Sequence, residues 1–330
     1  MAPTNLNYTA IKPRSAATIG FTITCLIVAM IPAAAQAWTD WMSELPRRPI
    51  HVSAWPGGRK VAVCFVLYVE VWGIGQGPDL RPDTVARHPD LLNESFRQYG
   101  ITNGIPRVGQ LFDERSLPLS IALNAHFPEQ YPAVWKQFRS LVPKAPIIAH
   151  GMNNSTELLP LQSGLAGQET YIEKTLELIQ KETKIRSTGW SSPSVYPNAL
   201  TFSAVTAEGI TYSLDAMDSD FLSRLDTRSG PLVLIPYPTV TVDMGQYLQR
   251  FKNATDLEKL WIDYVDELVD EAKRHPNHEA SIVAIGIHPF VVGTPDGARA
   301  LGRVLDHFKD QKLVWVTDVQ SVIDFVGGKD

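Results

Sequence analysis

Residues 281–326 read SIVAIGIHPFVVGTPDGARALGRVLDHFKDQKLVWVTDVQSVIDFV. Ile282–His288 is an apolar run of strand length, closed by a histidine and a proline. Pro295, just after Thr294, suits the first turn of a helix whose apolar stripe is Leu301, Val304, Leu305 and Phe308. Leu313–Thr317 is again strand-like, and Thr317 with Gln320 opens a last helix that Gly327 and Gly328 end. Strand and helix in alternation predict an α/β fold with a parallel sheet.

The pattern extends upstream. Val61–Leu67, Leu119–Asn124, Ile147–His150 and Leu232–Tyr237 are further strand candidates. Helical spacing recurs in 171–182, through Ile172, Leu176 and Ile179. In 256–274 it runs through Leu257, Leu260, Trp261, Tyr264 and Leu268, with Thr255 and Glu258 as a capping box. No G-x-G-x-x-G, P-loop or G-x-S-x-G is present, so dinucleotide binding and serine hydrolysis have no support.

Of the 330 residues 44% are apolar, enough for a large core. Thirty basic against 35 acidic side chains give a net charge of −5, which speaks against a nucleic-acid-binding face. Cys25 and Cys64 alone cannot build a disulfide scaffold or a cysteine-rich metal site. Cys64 reads as a small buried apolar residue.

The first residues read as an address. Lys12 and Arg14 precede the apolar run Ile19–Ile31, and Ala33-Ala34-Ala35-Gln36-Ala37 follows. This is the pattern of a secretory signal peptide over 1–37, and the run is shorter than the ~20 residues of a spanning helix. The expectation is an exported, periplasmic or secreted protein starting at Trp38, off the membrane after cleavage; an uncleaved membrane anchor is the alternative. Residues 38–58, rich in Trp, Pro and Arg, read as an N-terminal arm, and 59–330 as the catalytic barrel.

Chemistry in parallel α/β folds collects at the carboxyl ends of strands. Glu70 and Trp72 follow the first run, Asn124 and His126 the second, and His150 and Asn154 the third. Trp190 follows 185–189, Asp215, Asp218 and Asp220 follow Ile210–Leu214, Asp243 follows LVLIPY, and His288 ends SIVAIGIH. Each has a structural alternative, as a cap, a solvated loop or a buried hydrogen-bonding group. Their value lies in convergence, since a barrel brings these ends to one face. His275 and His278 form H-x-x-H in a polar turn without an apolar scaffold or a third ligand, so they do not read as a metal site.

The stretches CFVLYVEVWG (64–73), RQYG (97–100) with PRVGQLFDERSLPLSIALNA (106–125), IIAHGMNNS (147–155), GWSSPS (189–194) and EGITYSLDAMDSD (208–220) matter by their order. With LVLIPY (232–237), IGIHPFVVGTPDG (285–297) and LVWVTDVQSV (313–322), the chain resembles the polysaccharide deacetylase superfamily, in particular its allantoinase-like branch. The resemblance implies a deformed (β/α) barrel, usually seven-stranded, and hydrolysis of a carbon–nitrogen bond that is not a peptide bond. The bond is an N-acetyl group on a glycan in one branch and a cyclic amide or ureide in the other. The allantoinase-like branch is often oligomeric, though no segment here reads as an interface.

The departures are informative. Metal-dependent deacetylases carry an Asp-Asp pair and an H-x-x-x-H pair; here the sites read Tyr68-Val69-Glu70 and His150-Gly-Met-Asn-Asn154. Glu70 and His150 alone would hold a divalent ion such as zinc weakly. Ser194 stands about where the superfamily has an arginine. The expectation is weak or no metal dependence, with no other cofactor. Glu70 is then the base and His288 the acid, steadied by Asp215 or Asp220. Asn124, His150 and Asn154 are candidate oxyanion donors, and Trp72 and Trp190 candidate stacking surfaces. A metal-dependent sugar deacetylase and a catalytically silent glycan- or small-ligand-binding barrel are the alternatives.

Overall fold

The computed structural model describes residues 46–80, 90–155, 164–195, 197–198 and 200–327. The proposed signal peptide lies outside them, as does the first part of the arm. Among the described residues no helix is long and apolar enough to cross a membrane.

Among the described residues ten strands form one mixed sheet. In chain order they are β1 (Arg47–Pro49), β2 (Val61–Val69), β3 (Ser120–Leu123), β4 (Ile147–Ala149), β5 (Gly189–Trp190), β6 (Tyr212–Ala216), β7 (Ser223–Thr227), β8 (Gly230–Pro236), β9 (Ser281–Ile287) and β10 (Val314–Thr317). Strands β8, β6, β5, β4, β3, β2 and β9 follow one another in parallel. β10 pairs with Val61–Cys64 and β3 with Val66–Val69, so the two share one edge of β2. β7 runs antiparallel to β8, and β1 antiparallel to β7.

The sheet curls as the deformed barrel predicts but does not close, since among the described residues no ladder joins β8 to β9. Tyr237, just past β8, fills that seam. It lies against Gly286 of β9, where a Cβ would stand 2.8 Å from the tyrosine Cζ.

All nine residues of β2 are buried because both faces are covered. Ala62, Cys64, Val66 and Tyr68 point into the barrel with Ala122, Ile148, Tyr212, Ile235 and Ile282. Phe65 faces outward, packing at 5.7 Å on Phe112 and 6.2 Å on Phe308 of the surrounding helices. Each such fully buried side chain stabilises the fold by roughly 1.5–3 kcal/mol. Cys64 is a free, buried core residue, and burial pushes its thiol pKa up, which leaves it inert.

The described part of the arm adds β1 to the sheet and buries Trp55, whose indole donates to the Ser281 carbonyl at 2.8 Å. Two caps differ from the sequence reading. Helix Ala254–Arg274 is capped by Asn253 with Asp256, not Thr255 with Glu258, because Asn253 is the last extended residue. The last helix, Val319–Gly327, follows Asp318, which accepts from Ser321 N at 2.8 Å; Thr317 belongs to β10.

Candidate active site

Glu70 follows β2 directly, continuing the inward-facing positions of Val66 and Tyr68. It is 4% exposed. Its neighbours come from the next strand ends, where backbone pairing continues past each strand: Asn124 N to Val69 O, His150 N to Leu123 O, and Ser191 N to Ala149 O. Asn154 N bonds Val71 O at 3.0 Å, which folds the loop after β4 over β2. Gly151 makes that fold. Its φ is +68°, and a Cβ there would meet the Pro193 ring and sit 2.6 Å from the Tyr171 hydroxyl. That hydroxyl accepts from Met152 N at 2.9 Å.

The polar network has one fixed orientation. Val71 N–H, a backbone donor, bonds Asn124 Oδ1 at 2.9 Å. The Asn124 amide nitrogen must then donate to the His150 carbonyl and, at 3.1 Å, to Asn154 Oδ1. Asn154 is thereby turned so that its Nδ2 donates to Glu70 Oε1 and lies 3.2 Å from His150 Nε2. His150 Nδ1 faces the Ser191 carbonyl at 2.7 Å, so it carries a hydrogen. The other ring nitrogen, Nε2, is 3.1 Å from Glu70 Oε1.

On the opposite side stands His288, at the end of β9. Asp243, in the loop after β8, accepts from both its Nδ1 at 2.6 Å and its backbone N–H at 2.7 Å. Burial alone would drive protons off the imidazole, but the Asp243 carboxylate, helped by Glu70, raises the His288 pKa above its ordinary value. His288 Nε2 lies 3.7 Å from Glu70 Oε2. That oxygen is buried and has no hydrogen-bond partner. A buried carboxylate oxygen left this way can take a proton from a water or a substrate.

Glu70, His150, Asn154, Asn124 and His288 thus come together, but several sequence assignments change. His150 and Asn154 are engaged on Glu70 Oε1 instead of standing as oxyanion donors. The partner of His288 is Asp243, not Asp215 or Asp220. Asp215, whose pKa burial raises against the pull of its Ser192 hydrogen bonds, accepts from Ser192 N at 2.9 Å and Oγ at 2.7 Å. Asp220 accepts from the Tyr264 hydroxyl at 2.9 Å, while its carbonyl takes Ile282 N near the start of β9, the far end from the site. Trp190 is fully buried, its indole on Ser192 Oγ at 3.0 Å, and cannot stack on a ligand. Asn124 is fully buried with both amide atoms engaged, so it orients Asn154 rather than touching substrate. Trp72 is half-buried, its ring 5.9 Å from that of Phe290 at 63°. Asp243 follows LVLIPY, and what singles it out is that β8 flanks β9, which periodicity does not reveal.

No family model matches the chain. Two proteins named "putative polysaccharide deacetylase" are similar to it. One, from Schizosaccharomyces pombe, is 21% identical over 306 residues, covering 83% of this chain and 92% of that protein. The other, a crystal structure from Mycobacterium smegmatis, superposes with a TM-score of 0.71 at 20% identity, over 86% of this chain and 96% of that one. The chain has the polysaccharide deacetylase fold. The crystal structure of PuuE allantoinase shares it, with a TM-score of 0.69 at 24% identity over 85% and 93% of the two chains.

The metal that many polysaccharide deacetylases carry does not suit these donors. Where a third ligand would complete Glu70 and His150, Asn154 presents its amide nitrogen, turned inward by Asn124 and ultimately by Val71 N–H. An amide N–H is a donor, not a ligand. Among the described residues no three His, Cys, Asp or Glu side chains are grouped to hold an ion.

Proposed function

We propose that this protein hydrolyses a carbon–nitrogen bond of a small amide, cyclic amide, ureide or N-acetyl group, with Glu70 as base and His288 as acid. The observation that carries the reading is the buried, unpartnered Glu70 Oε2 facing His288 Nε2 at 3.7 Å. The similar proteins named as polysaccharide deacetylases and as an allantoinase support the reaction class.

Water placed at Glu70 Oε2 gives that oxygen a proton as its own oxygen bonds to the carbonyl carbon. The carbon–nitrogen bond then breaks, and the leaving nitrogen takes the proton of His288 Nε2. The proton on Glu70 returns to His288 and resets the site. Asp243 holds Nδ1–H of His288, so Nε2 points at the reacting centre and the imidazolium is stabilised. His150 and Asn154 hold Glu70 Oε1, leaving Oε2 to react. Trp72 offers a flat surface to a ring.

The test is a panel of cyclic amides, ureides and N-acetylated sugars, scored by carboxylate or acetate release with and without chelator. Turnover that survives the chelator and falls at least tenfold in both Glu70→Gln and His288→Ala supports the reading. Losses below tenfold, or ~1.4 kcal/mol, in both variants refute it. Chelator-sensitive acetate release would instead favour the metal-dependent deacetylase. Export with cleavage after Ala37 belongs to the same proposal and is read from the mass of the mature chain.

A further inference from the structure

Tyr68 lies one inward position below Glu70 on β2, buried at 2% exposure. Its ring touches both histidines of the site. It stacks on His288, with centroids 5.0 Å apart and 10° between the planes. It meets His150 edge to face, at 4.9 Å and 78°. Its hydroxyl is 3.1 Å from Ser191 Oγ, and the carbonyl of the same Ser191 takes Nδ1–H of His150. Burial raises the Tyr68 pKa far above its ordinary value, so the phenol stays neutral and is not itself an acid or base at neutral pH.

Hydrogen bonds at the ring nitrogens do not by themselves set an imidazole plane: His288 has one, at Nδ1 to Asp243, and His150 has Nδ1 on the Ser191 carbonyl with Nε2 3.1 Å from Glu70 Oε1. The imidazole torsion is broad, and a bond at Nδ1 leaves the ring free to tilt about it. A second surface is needed to hold the plane. For His288 that surface is the face of Tyr68, with Phe290 at 5.5 Å, while Asp243 and Glu70 are the charged groups that reach it. For His150 it is the edge contact with the same ring. We infer that Tyr68 is the positioning residue of this site, one ring that sets the planes of His150 and His288 so that their Nε2 atoms meet the two oxygens of Glu70. A misplacement of about 1 Å in such a group can cost roughly a hundredfold in rate.

The kinetic readout rests on the function proposed above; a spectroscopic one does not. In the full-length protein labelled with 15N-histidine, at a pH above the titration of His288, His150 and His288 should each show a single tautomer with the proton on Nδ1. Assignment comes from His150→Gln and His288→Gln. Tyr68→Phe keeps the ring and should keep both tautomers, with kcat within about threefold. Tyr68→Met, which fills the volume without a rigid face, should mix the tautomers of at least one histidine. It should lower kcat tenfold or more, with KM within about twofold. A folded Tyr68→Met with both histidines held as in the wild type overturns the inference. If Tyr68→Met does not fold, Tyr68→Phe decides: mixed tautomers there would overturn the assignment to the ring. A wild type that turns over no substrate would refute the proposed function and leave the tautomers to judge Tyr68.

Discussion

Two pairs of histidines stand at opposite ends of the sheet. His150 and His288 end strands β4 and β9, are 1% and 3% exposed, and have each Nδ1 committed to a fixed acceptor. His275 and His278 precede β9, are exposed, and stack on each other at 4.6 Å and 13°. Ring contact is present in both, so it does not separate a site from a surface. Burial and committed hydrogen bonds do, because only a desolvated group feels its neighbours at full strength. Empty volume does not mark the site either. A cavity of about 490 Å³ opens at the floor of β6 and β8, lined by Arg48, His51, Arg224 and Val326. The buried carboxylate oxygen that lacks a partner is at the other end.

The largest break in this comparison is Glu70→Gln. It replaces the unpartnered oxygen with an amide while preserving shape, and should lower kcat/KM by about 10²–10⁴-fold on any substrate found. Next comes Asp243→Asn, expected to cost about a hundredfold, with a change in pH dependence. His288 has a raised pKa, so its protonated form is full at low pH and is lost as pH rises through that raised value. Activity needing the acid should fall on that limb, and in Asp243→Asn the limb should move to lower pH. Stability follows the same sign. The His288 contribution is complete below about 6.5, the ordinary histidine value, and disappears as pH rises through the folded one. Thermal melts of wild type and Asp243→Asn across that window measure it.

How far the sequence led differs between fold and site. Strands β2, β3, β4 and β9 announce themselves as apolar runs because both faces are buried, and β8 and β10 read as apolar runs although they are partly exposed. β1 and β7 do not: RRP and SRLDT lie antiparallel at the sheet's margin, where exposure permits charge. β5, only two residues long, carries no period at all. At the site, Glu70, His150 and His288 stand out because each polar residue ends an apolar run. The pairing of His288 with Asp243 does not, because it depends on which strands are neighbours. Asp215 and Asp220 lie closer to LVLIPY's upstream strand in sequence, but β8, not β6, borders the seam with β9. The roles of Tyr68 and of the Ser191 carbonyl are equally non-local.

A smaller effect sharpens the comparison through the backbone. Gly151→Ala forces a side chain onto a φ of +68° and against Pro193 and Tyr171. Strain of this kind costs about 1–3 kcal/mol. The loop that carries His150 and Asn154 should open before the barrel melts, so activity should be lost at temperatures where far-UV circular dichroism is still native.

The smallest effect belongs to the exposed pair. His275→Ala combined with His278→Ala removes two stacked rings from a polar turn, together with nothing that a buried group depends on. The turn itself is held by backbone bonds, His275 N to Glu271 O and His278 N to His275 O, and by Lys60, whose ammonium donates to the Pro276 carbonyl at 2.9 Å. These survive the substitutions. Stability should therefore change by no more than about 0.5 kcal/mol, and kcat/KM by less than twofold. A larger loss of activity would mean that the N-terminal end of the sheet takes part in the chemistry. The division between a working end and a supporting end would then have to be redrawn.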